Sequence, residues 1–234
     1  IRPEPTPPAW KSSISAGVIG NNTAGNDDVT APVAATSAYQ KDGDKLSLKG
    51  GYNYNTTRDG NEPFKVQTDT GSATARYGRR LTQGISLVTF ADYHYNATTE
   101  ASVNTVQGAV GLGVPLINTP STQLTLSLGP SFQWGNGGSD CDTDSACGRT
   151  YPGASFTTEL DWTPNPSFRI SLDNNFSALA ASELKPTNSF GATIKYFPSI
   201  TSGMFTSLQF LSTYNSIAKP EIDNTVNGQV GIEF

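Results

Sequence analysis

The last segment of the chain alternates apolar and polar positions as a β-strand does. Its apolar face carries Ile222, Val226, Val230, Ile232 and Phe234, and its polar face carries Asp223, Thr225, Asn227, Gln229 and Glu233. Successive side chains of a strand point to opposite faces. A period of two that is kept this long predicts a strand between an apolar and a polar medium.

The same alternation recurs along the chain, in runs separated by clusters of Gly, Pro, Asn and Asp. No helical period longer than a turn or two interrupts it. We predict twelve strands, at residues 10–20, 29–40, 45–55, 64–78, 84–96, 103–116, 122–135, 154–163, 167–178, 188–197, 204–215 and 222–234. The fold class is therefore all-β.

Alternation does not by itself separate a soluble β-sandwich from a membrane barrel, because both have one apolar and one polar face. The lengths of the connections favour the barrel. Short links such as "QKDGD" and "TPNPS" alternate with longer ones such as "TTRDGNEP" and "GNGGSDCDTDSACGRTYPG", and "NNTAGNDD" is counted among the long ones. Short periplasmic turns and long extracellular loops are typical of outer-membrane barrels.

The aromatic residues favour the same interpretation, because they fall at or near strand ends. A sandwich would place them in mid-strand, where its core is thickest. Two aromatic girdles, one at each water boundary, are predicted from Trp10, Tyr39, Tyr54, Tyr77, Tyr95, Trp134, Trp162, Phe176, Tyr196, Tyr214 and Phe234.

The polar face mixes charged and small residues, which suits a wet lumen better than a dry core. The predicted lumen-lining charges are Lys11, Lys45, Lys49, Arg76, Asp92, Glu159, Asp161, Arg169, Asp173, Lys195, Asp223 and Glu233. Because the two signs are nearly balanced, we expect a lumen lined or partly closed by ion pairs, without selection for anions.

We therefore predict one antiparallel transmembrane β-barrel of about twelve strands over residues 10–234. Residues 1–9 contain four prolines and are predicted to be an extended periplasmic linker. An even number of strands places both chain ends on the periplasmic side, so Trp10 and Phe234 should share a rim, with Lys11 near Glu233 across the seam. In the tight hairpin "TPNPS", Asp161 should lie opposite Arg169, and Lys195 should reach Asp173.

Composition excludes several other classes. The net charge of −5 and a pI near 4.8 argue against nucleic-acid binding, which requires a basic surface. No apolar stretch approaches the roughly 20 residues that a membrane helix needs. The start "IRPEPTPPAW" has neither the basic region nor the apolar core of a signal peptide, so a mature chain, processed for the bacterial outer membrane, is expected.

The loop "DCDTDSACG" brings two cysteines close together in sequence. Cys141 and Cys147 fit a small disulfide, exposed on an outer loop in an oxidising compartment, and two free thiols in a cytosolic loop are the alternative. Asp140, Asp142 and Asp144 resemble the start of a calcium loop. The glycine at the sixth position and the closing glutamate are missing, so a solvated loop is favoured, with no metal or cofactor.

His94 in "ADYHYN" is the single histidine. It shares a face with Asp92, and Asn96 follows, so an outer-membrane hydrolase is one hypothesis. Such an enzyme needs a nucleophile, and Ser86 lies nearly three residue pairs away. A hydrogen-bonded histidine in the lumen wall is the favoured interpretation, and no enzyme activity is expected.

Three segments, "WKSSISAGVIGNNT", "ARYGRRLTQGISLVTFADYHYN" and "GAVGLGVPLINTPSTQLTLSLGPSFQW", resemble the bacterial family of salt-induced outer membrane proteins, a domain of unknown function. The similarity covers essentially everything after the linker. It is most specific from the Gly-rich strand through "LINTP" to "LSLGPSF". The resemblance implies an outer-membrane barrel with an association with salt or osmotic conditions, and it supplies no catalytic residues.

The expected function is a narrow, weakly selective channel for small polar solutes. A non-conducting barrel that serves the envelope as a structural or docking element is the alternative. The barrel is expected to contact outer-membrane lipid, and a further protein partner in the envelope is possible but not identified by the sequence. The terminal Phe234 resembles the sorting signal that the barrel assembly machinery recognises, so that machinery is an expected partner.

Overall fold

The computed structural model describes residues 10–23, 26–181, 184–199, 202–217 and 221–234, without the side chains of 19–23, 26–28 and 223. The predicted linker over 1–9 lies outside these residues. The strands are β1 Trp10–Ala16, β2 Ile19–Thr23, β3 Asn26–Lys41, β4 Asp44–Asp59, β5 Lys65–Arg80, β6 Ser86–Asn96, β7 Asn104–Asn118, β8 Thr122–Asn136, β9 Thr150–Asn165, β10 Phe168–Leu179, β11 Thr187–Tyr196, β12 Met204–Tyr214 and β13 Ile222–Glu233.

The strands close into a single barrel. From β2 to β13 each strand pairs antiparallel with the next along the chain, and β13 returns to pair with β1. Both β1 and β2 pair with β3, so they form the two halves of one barrel strand. The described segments therefore build the closed antiparallel barrel of twelve strands that the sequence predicted.

The seam between the first and last strands joins residues 13–16 of β1 to residues 230–233 of β13. Beyond these pairs, the N–H of Phe234 donates to the carbonyl oxygen of Ser12 at 2.9 Å. Trp10 and Phe234 consequently lie at the same rim, as predicted. Lys11 lies one inner-face position beyond Ser13, the partner of Glu233, so Lys11 and Glu233 are diagonal neighbours.

Connections at this rim are mostly tight. Asp42 and Gly43 link β3 to β4 with φ angles of 53° and 90°, which fit the two-residue type I′ turn of a hairpin. Residues 81–85, 119–121 and 166–167 make three more links, whereas 197–203 is longer. At the opposite rim the loops span 60–64, 97–103, 137–149, 180–186 and 215–221. Following this asymmetry, the first rim is named periplasmic and the second extracellular.

One predicted extracellular loop is a hairpin instead. The segment "NNTAGNDD" was expected to form a long loop, but β2 and β3 continue through it to Thr23 and Asn26, which pair with each other. Asn and Asp are unfavourable in strands by propensity. Here the pairing of β3 with β4, which continues from Asn26 to Lys41, keeps the ladder going.

The barrel is inverted relative to a soluble protein. Leu128 is 63% exposed and Val226 is 62% exposed on the outer face, with Ile14, Leu48 and Met204 also exposed there. The buried side chains of the described residues are mostly Ser, Thr, Asn and Gln on the inner face. In water, such a surface would forfeit about 25 cal/mol for each Å² of apolar area.

No helix among the described residues is long and apolar enough to cross a membrane.

Candidate functional site: the barrel lumen

All twelve predicted lumen charges occupy inner-face positions in the strand register, where they alternate with the exposed apolar residues. For Asp223 only the backbone position is described. Ion pairs join six of the other eleven across the lumen, and the remaining five are Lys11, Lys45, Asp92, Asp161 and Lys195. Their functional role stays a prediction.

The waist of the barrel is crossed by two ion pairs. Lys49 Nζ lies 2.7 Å from Asp173 Oδ1, and Arg76 Nη1 lies 2.5 Å from Glu159 Oε1. Equal numbers of strands separate β4 from β10 in both directions around the barrel, so the Lys49–Asp173 pair spans its full width. The two ion pairs therefore bridge the lumen at this level.

The waist pairs have a local electrostatic reason. Asp173 and Glu159 are directly opposite each other on β10 and β9, so two carboxylates share one cross-strand position. Like charges in such a pair repel. Lys49 and Arg76 reach over from β4 and β5 and neutralise one carboxylate each, which ties the two sides of the wall together.

The predicted pairing of Asp161 with Arg169 is wrong. A register shift between Phe168 and Ile170 places Ser171 opposite Asp161, and Ser171 Oγ donates to Asp161 Oδ1 at 3.0 Å. Arg169 instead forms a salt bridge with Glu233 on β13 and lies 4.6 Å from the centroid of the Phe197 ring.

The predicted contact of Lys195 with Asp173 is also wrong, because the β10–β11 register places Lys195 opposite Arg169 and Gly191 opposite Asp173. Lys195 Nζ donates to Ser13 Oγ at 3.1 Å and lies 4.3 Å from the centroid of the Phe205 ring. Lys195 therefore remains at the periplasmic end of the lumen.

A cavity of about 200 Å³ opens at that end. Its charged lining residues are Lys11, Arg169, Lys195 and Glu233. Nearby, Lys45 Nζ donates to Gln123 Oε1 at 2.6 Å, from β4 across to β8. The periplasmic part of the lumen is therefore cationic and partly bridged.

The extracellular half of the lumen is lined mostly by neutral polar groups. Asp223, for which only the backbone is described, holds an inner-face position at its outer end. Gln107 Nε2 donates to Ser177 Oγ at 2.5 Å, and Asn175 Nδ2 donates to Gln107 Oε1 at 3.2 Å. Several buried oxygens in this half accept no hydrogen bond within the described part of the chain: Asn53 Oδ1, Ser131 Oγ, Gln133 Oε1, Asn175 Oδ1, Thr187 Oγ1 and Asn227 Oδ1. Buried polar groups in proteins almost always have partners, so these point to a hydrated space.

An apolar cluster lies at the extracellular mouth, and we name it the mouth cluster. It comprises Ala146, Tyr151 and Ile217, with Leu179, Ala181 and Leu184 packed against them. Ile217 is only 2% exposed although it comes from a loop. The neighbouring Asn215 accepts a hydrogen bond from Gln133 Nε2 on the inner face of β8, at 2.8 Å.

Further contacts hold the loops around the mouth cluster together. Ser216 Oγ donates to the carbonyl oxygen of Lys185 at 2.7 Å. Lys185 Nζ lies 3.4 Å from Glu221 Oε2, and this hydrogen bond raises the pKa of Lys185 above its ordinary value. Contacts among Lys185, Ser216 and Glu221 therefore join the two connections beside the mouth cluster.

Cys141 and Cys147 form a disulfide, with their Cα atoms 5.2 Å apart. Both are half-buried rather than exposed as expected, because the loop folds down onto the barrel. The N–H of Gly148 donates to the carbonyl oxygen of Gly135 at 2.7 Å, and Ala146 joins the mouth cluster. No group of three or more metal-ligating side chains lies together in the described ranges.

His94 lies on the inner face of β6, opposite Ser72 on β5 and Thr105 on β7. Thr105 Oγ1 donates to the backbone carbonyl of His94 at 3.5 Å. Ser86 pairs with Arg80 and Gly113 at the opposite end of the strand, which keeps it away from the histidine.

The predicted girdle residues all occupy outer-face positions. Near the periplasmic rim, the rings of Trp10 and Tyr39 are 5.1 Å apart, and those of Phe168 and Tyr196 are 5.0 Å apart. Phe168 was not among the predicted residues, although its place at the start of β10 on the apolar face would have revealed it. Contact of these rings with a membrane interface stays a prediction.

Sequence reasoning missed two parts of the site. The mouth cluster is built from loop residues such as Ile217 and Leu184, whose only signal was an apolar residue within a polar connection. The cross-lumen amide contacts of Gln107 and Gln133 were missed because neutral amides carry no charge pattern that marks a partner across the barrel.

Distant likenesses among solved structures are to barrels of similar length. The KdgM porin is 9% identical, with a TM-score of 0.44, covering 96% of this chain and 98% of that one. The NanC porin is 9% identical, with a TM-score of 0.45, covering 95% and 97%. An outer membrane channel from Pseudomonas putida F1 is 10% identical, with a TM-score of 0.42, covering 96% and 92%. No curated protein matches the chain.

A family profile matches residues 14–227, almost the whole of the barrel from β1 to β13. The chain therefore belongs to the family described as protein of unknown function, DUF481.

Proposed function

We propose that this protein is a bacterial outer-membrane channel for small polar solutes, held closed in this structure by its own side chains. The observation that carries the proposal is the inverted barrel, with an exposed apolar outer face and a polar interior. A membrane strand needs about 9–11 residues, and the barrel strands from β3 to β13 have ten or more. Closure leaves no strand edge that lipid would have to solvate along the β1–β13 seam.

The interior supports passage of polar solutes because it is not packed like a core. The buried acceptors of Asn53, Asn175 and Asn227 have no protein donor among the described residues. In a barrel that serves only as a scaffold, apolar or fully paired side chains would fill this space at lower cost. Unpaired amide oxygens instead suit water or a polar solute.

The bridges across the lumen support a narrow passage. They occur at the extracellular mouth, in the upper lumen, at the waist and at the periplasmic end. Twelve strands lie between barrels that their own side chains fill and barrels with a wide aqueous channel. A solute larger than a few water molecules must displace ion pairs to pass.

The same bridges favour the second candidate, a non-conducting structural barrel of the envelope. Ion pairs that never part, under a sealed mouth cluster, would produce this outcome. Partners in that role, recognition by the assembly machinery and an association with salt conditions stay predictions. The hydrolase hypothesis has less support, because Ser86 lies at the far end of the strand from His94.

Planar-bilayer recording tests the proposal. The purified barrel should show small, flickering conductance steps, and Lys49→Ala should enlarge them, because it removes the bridge to Asp173. Freed of its cation, Asp173 should also shift the ion preference toward cations.

Leu48→Ala is the matched control, because the adjacent side chain is 41% exposed on the outer face. It should change neither the conductance nor the ion preference. A folded wild-type barrel that stays silent, together with a silent Lys49→Ala variant, would instead establish the structural candidate.

A further inference from the structure

The periplasmic cavity has the charge of an anion site. Its lining includes three cationic side chains, Lys11, Arg169 and Lys195, and one carboxylate, Glu233. Asp161 lies beside the cavity on the inner face, where it accepts the hydrogen bond of the lining residue Ser171. Even when that carboxylate is counted, the cations exceed the anions at this end of the lumen.

Two of the cations are fixed in position before any ligand arrives. Arg169 is held by Glu233 and by the face of Phe197. Lys195 is held by Ser13 and lies over the ring of Phe205, which is 1% exposed. Phe197 and Phe205 also contact each other, with centroids 5.6 Å apart. Preorganised donors lose little conformational entropy when a ligand binds.

Lys11 completes the arrangement from the seam strand. Within the described residues it has no carboxylate within 4.0 Å, in contrast to Lys49, Arg76 and Arg169, which each have one. Thr193 also lines the cavity and offers a neutral hydroxyl, whereas the hydroxyl of Thr36 is hydrogen-bonded to Ser13 Oγ at 2.7 Å. A lysine without a counter-ion beside fixed cations favours an incoming anion.

The inner-face charges are not distributed evenly along the barrel axis. The inner-face charges nearly balance over the whole lumen, and this total by itself predicts no selection for anions. The acidic residues Asp92, Glu159 and Asp173 lie at the waist, whereas the cations concentrate below it. Recognition depends on the local potential in the cavity and not on the total charge.

The geometry points to a binding site for a small oxyanion, such as phosphate, sulfate or a short carboxylic acid, at the periplasmic end of the lumen. The volume of about 200 Å³ lies below the roughly 300–1,000 Å³ of pockets for drug-sized ligands, so the ligand is small. Occupancy does not depend on conduction, and the site stands whether or not the barrel transports solutes.

Calorimetric titration of the folded barrel with inorganic phosphate tests the site, in a zwitterionic detergent at low ionic strength. Saturable binding of one phosphate per barrel is expected. Lys195→Gln should weaken it about tenfold, since one charge-assisted hydrogen bond is lost. Glu233→Gln should strengthen binding, because it removes the competing carboxylate and releases Arg169.

The two substitutions should change the phosphate affinity in opposite directions, which misfolding of the variants would not produce. Lys65→Gln serves as the control, because that lysine pairs with Glu62 at the extracellular rim. It should bind phosphate like the wild type. Heat-resistant compact migration in electrophoresis verifies that each barrel is folded. Absence of saturable heat, equal affinity of the Lys195→Gln barrel, or weaker binding by Glu233→Gln would each overturn the site.

Discussion

At the level of single residues, the sequence predicts which face each side chain occupies but not which partner it finds. The period of two placed Lys49, Arg76 and Asp173 on the inner face, and the register agrees. Their partners lie on distant strands, so pairing depends on the width and stagger of the closed barrel. No spacing within one hairpin encodes that information. The predicted pair of Asp161 and Arg169 failed for a different reason, the register shift between Phe168 and Ile170 within its own hairpin.

Gly191 shows how a residue without a side chain supports the waist. A Cβ atom at this position would lie 2.4 Å from Asp173 Oδ2. Gly191 faces Asp173 directly across the β10–β11 ladder, so the carboxylate uses the space that a methyl group would fill. The absence of this side chain lets Asp173 turn toward Lys49.

Gly191→Ala should therefore move Asp173 and loosen its ion pair with Lys49. Overpacking of this kind costs about 1–3 kcal/mol of stability. The temperature at which heating abolishes compact migration in electrophoresis should therefore fall. In bilayers the variant should share the larger conductance expected of Lys49→Ala. Gly228→Ala is the control, since a Cβ there meets no atom within 4 Å. If both substitutions behave alike, the space beside Asp173 is not what matters.

At the level of strands and loops, the sequence predicts a turn correctly where the turn depends only on its own residues. The Asp42–Gly43 pair predicts its tight hairpin, because both positions require positive φ. The register shift after Phe168 could not be predicted from the sequence, since it changes only which residues of β9 and β10 face each other. The mouth cluster could not be predicted either, because it gathers residues from separate loops.

The disulfide loop and the mouth cluster should separate experimentally from the barrel wall. The Cys141–Cys147 loop is short, so chain-entropy reasoning gives it only about 2 kcal/mol of stabilisation, confined to the loop. Reduction with dithiothreitol should leave heat-resistant compact migration intact. Loss of that migration on reduction would show that the loop holds the wall together.

Ile217→Ala should unseal the extracellular mouth. The side chain is almost fully buried against Tyr151 and Ala146, and truncating it opens a gap between loop and wall. The fraction of time that single channels spend open should rise, with little change in barrel stability. Val18→Ala provides a comparison, because that aliphatic residue is 78% exposed outside the lumen. An unchanged open fraction in Ile217→Ala would place the gate at the waist alone.

At the level of the whole molecule, the alternation of apolar and polar residues predicted the fold class. The net charge does not show how the charges are distributed along the barrel axis. A net charge of −5 and a balanced lumen suggest a neutral passage. The closed barrel instead separates the charges into an extracellular half with mostly neutral groups, an ion-paired waist and a cationic periplasmic end. This separation arises from strand direction and stagger, which bring residues from both ends of the chain to one level.

An axial separation of charge predicts rectification of the ionic current. With barrels inserted in one orientation at 0.1 M KCl, the currents at equal positive and negative voltages should differ, because one mouth concentrates anions and the other does not. At 1 M KCl the Debye length falls from about 10 Å to about 3 Å, so the two currents should become nearly equal. Replacing Lys11 and Lys195 together by Gln should remove most of the asymmetry at low salt, whereas Lys65→Gln should preserve it. If the double variant rectifies like the wild type, the cationic end does not set the potential in the lumen, and the three-part charge arrangement has no role in conduction.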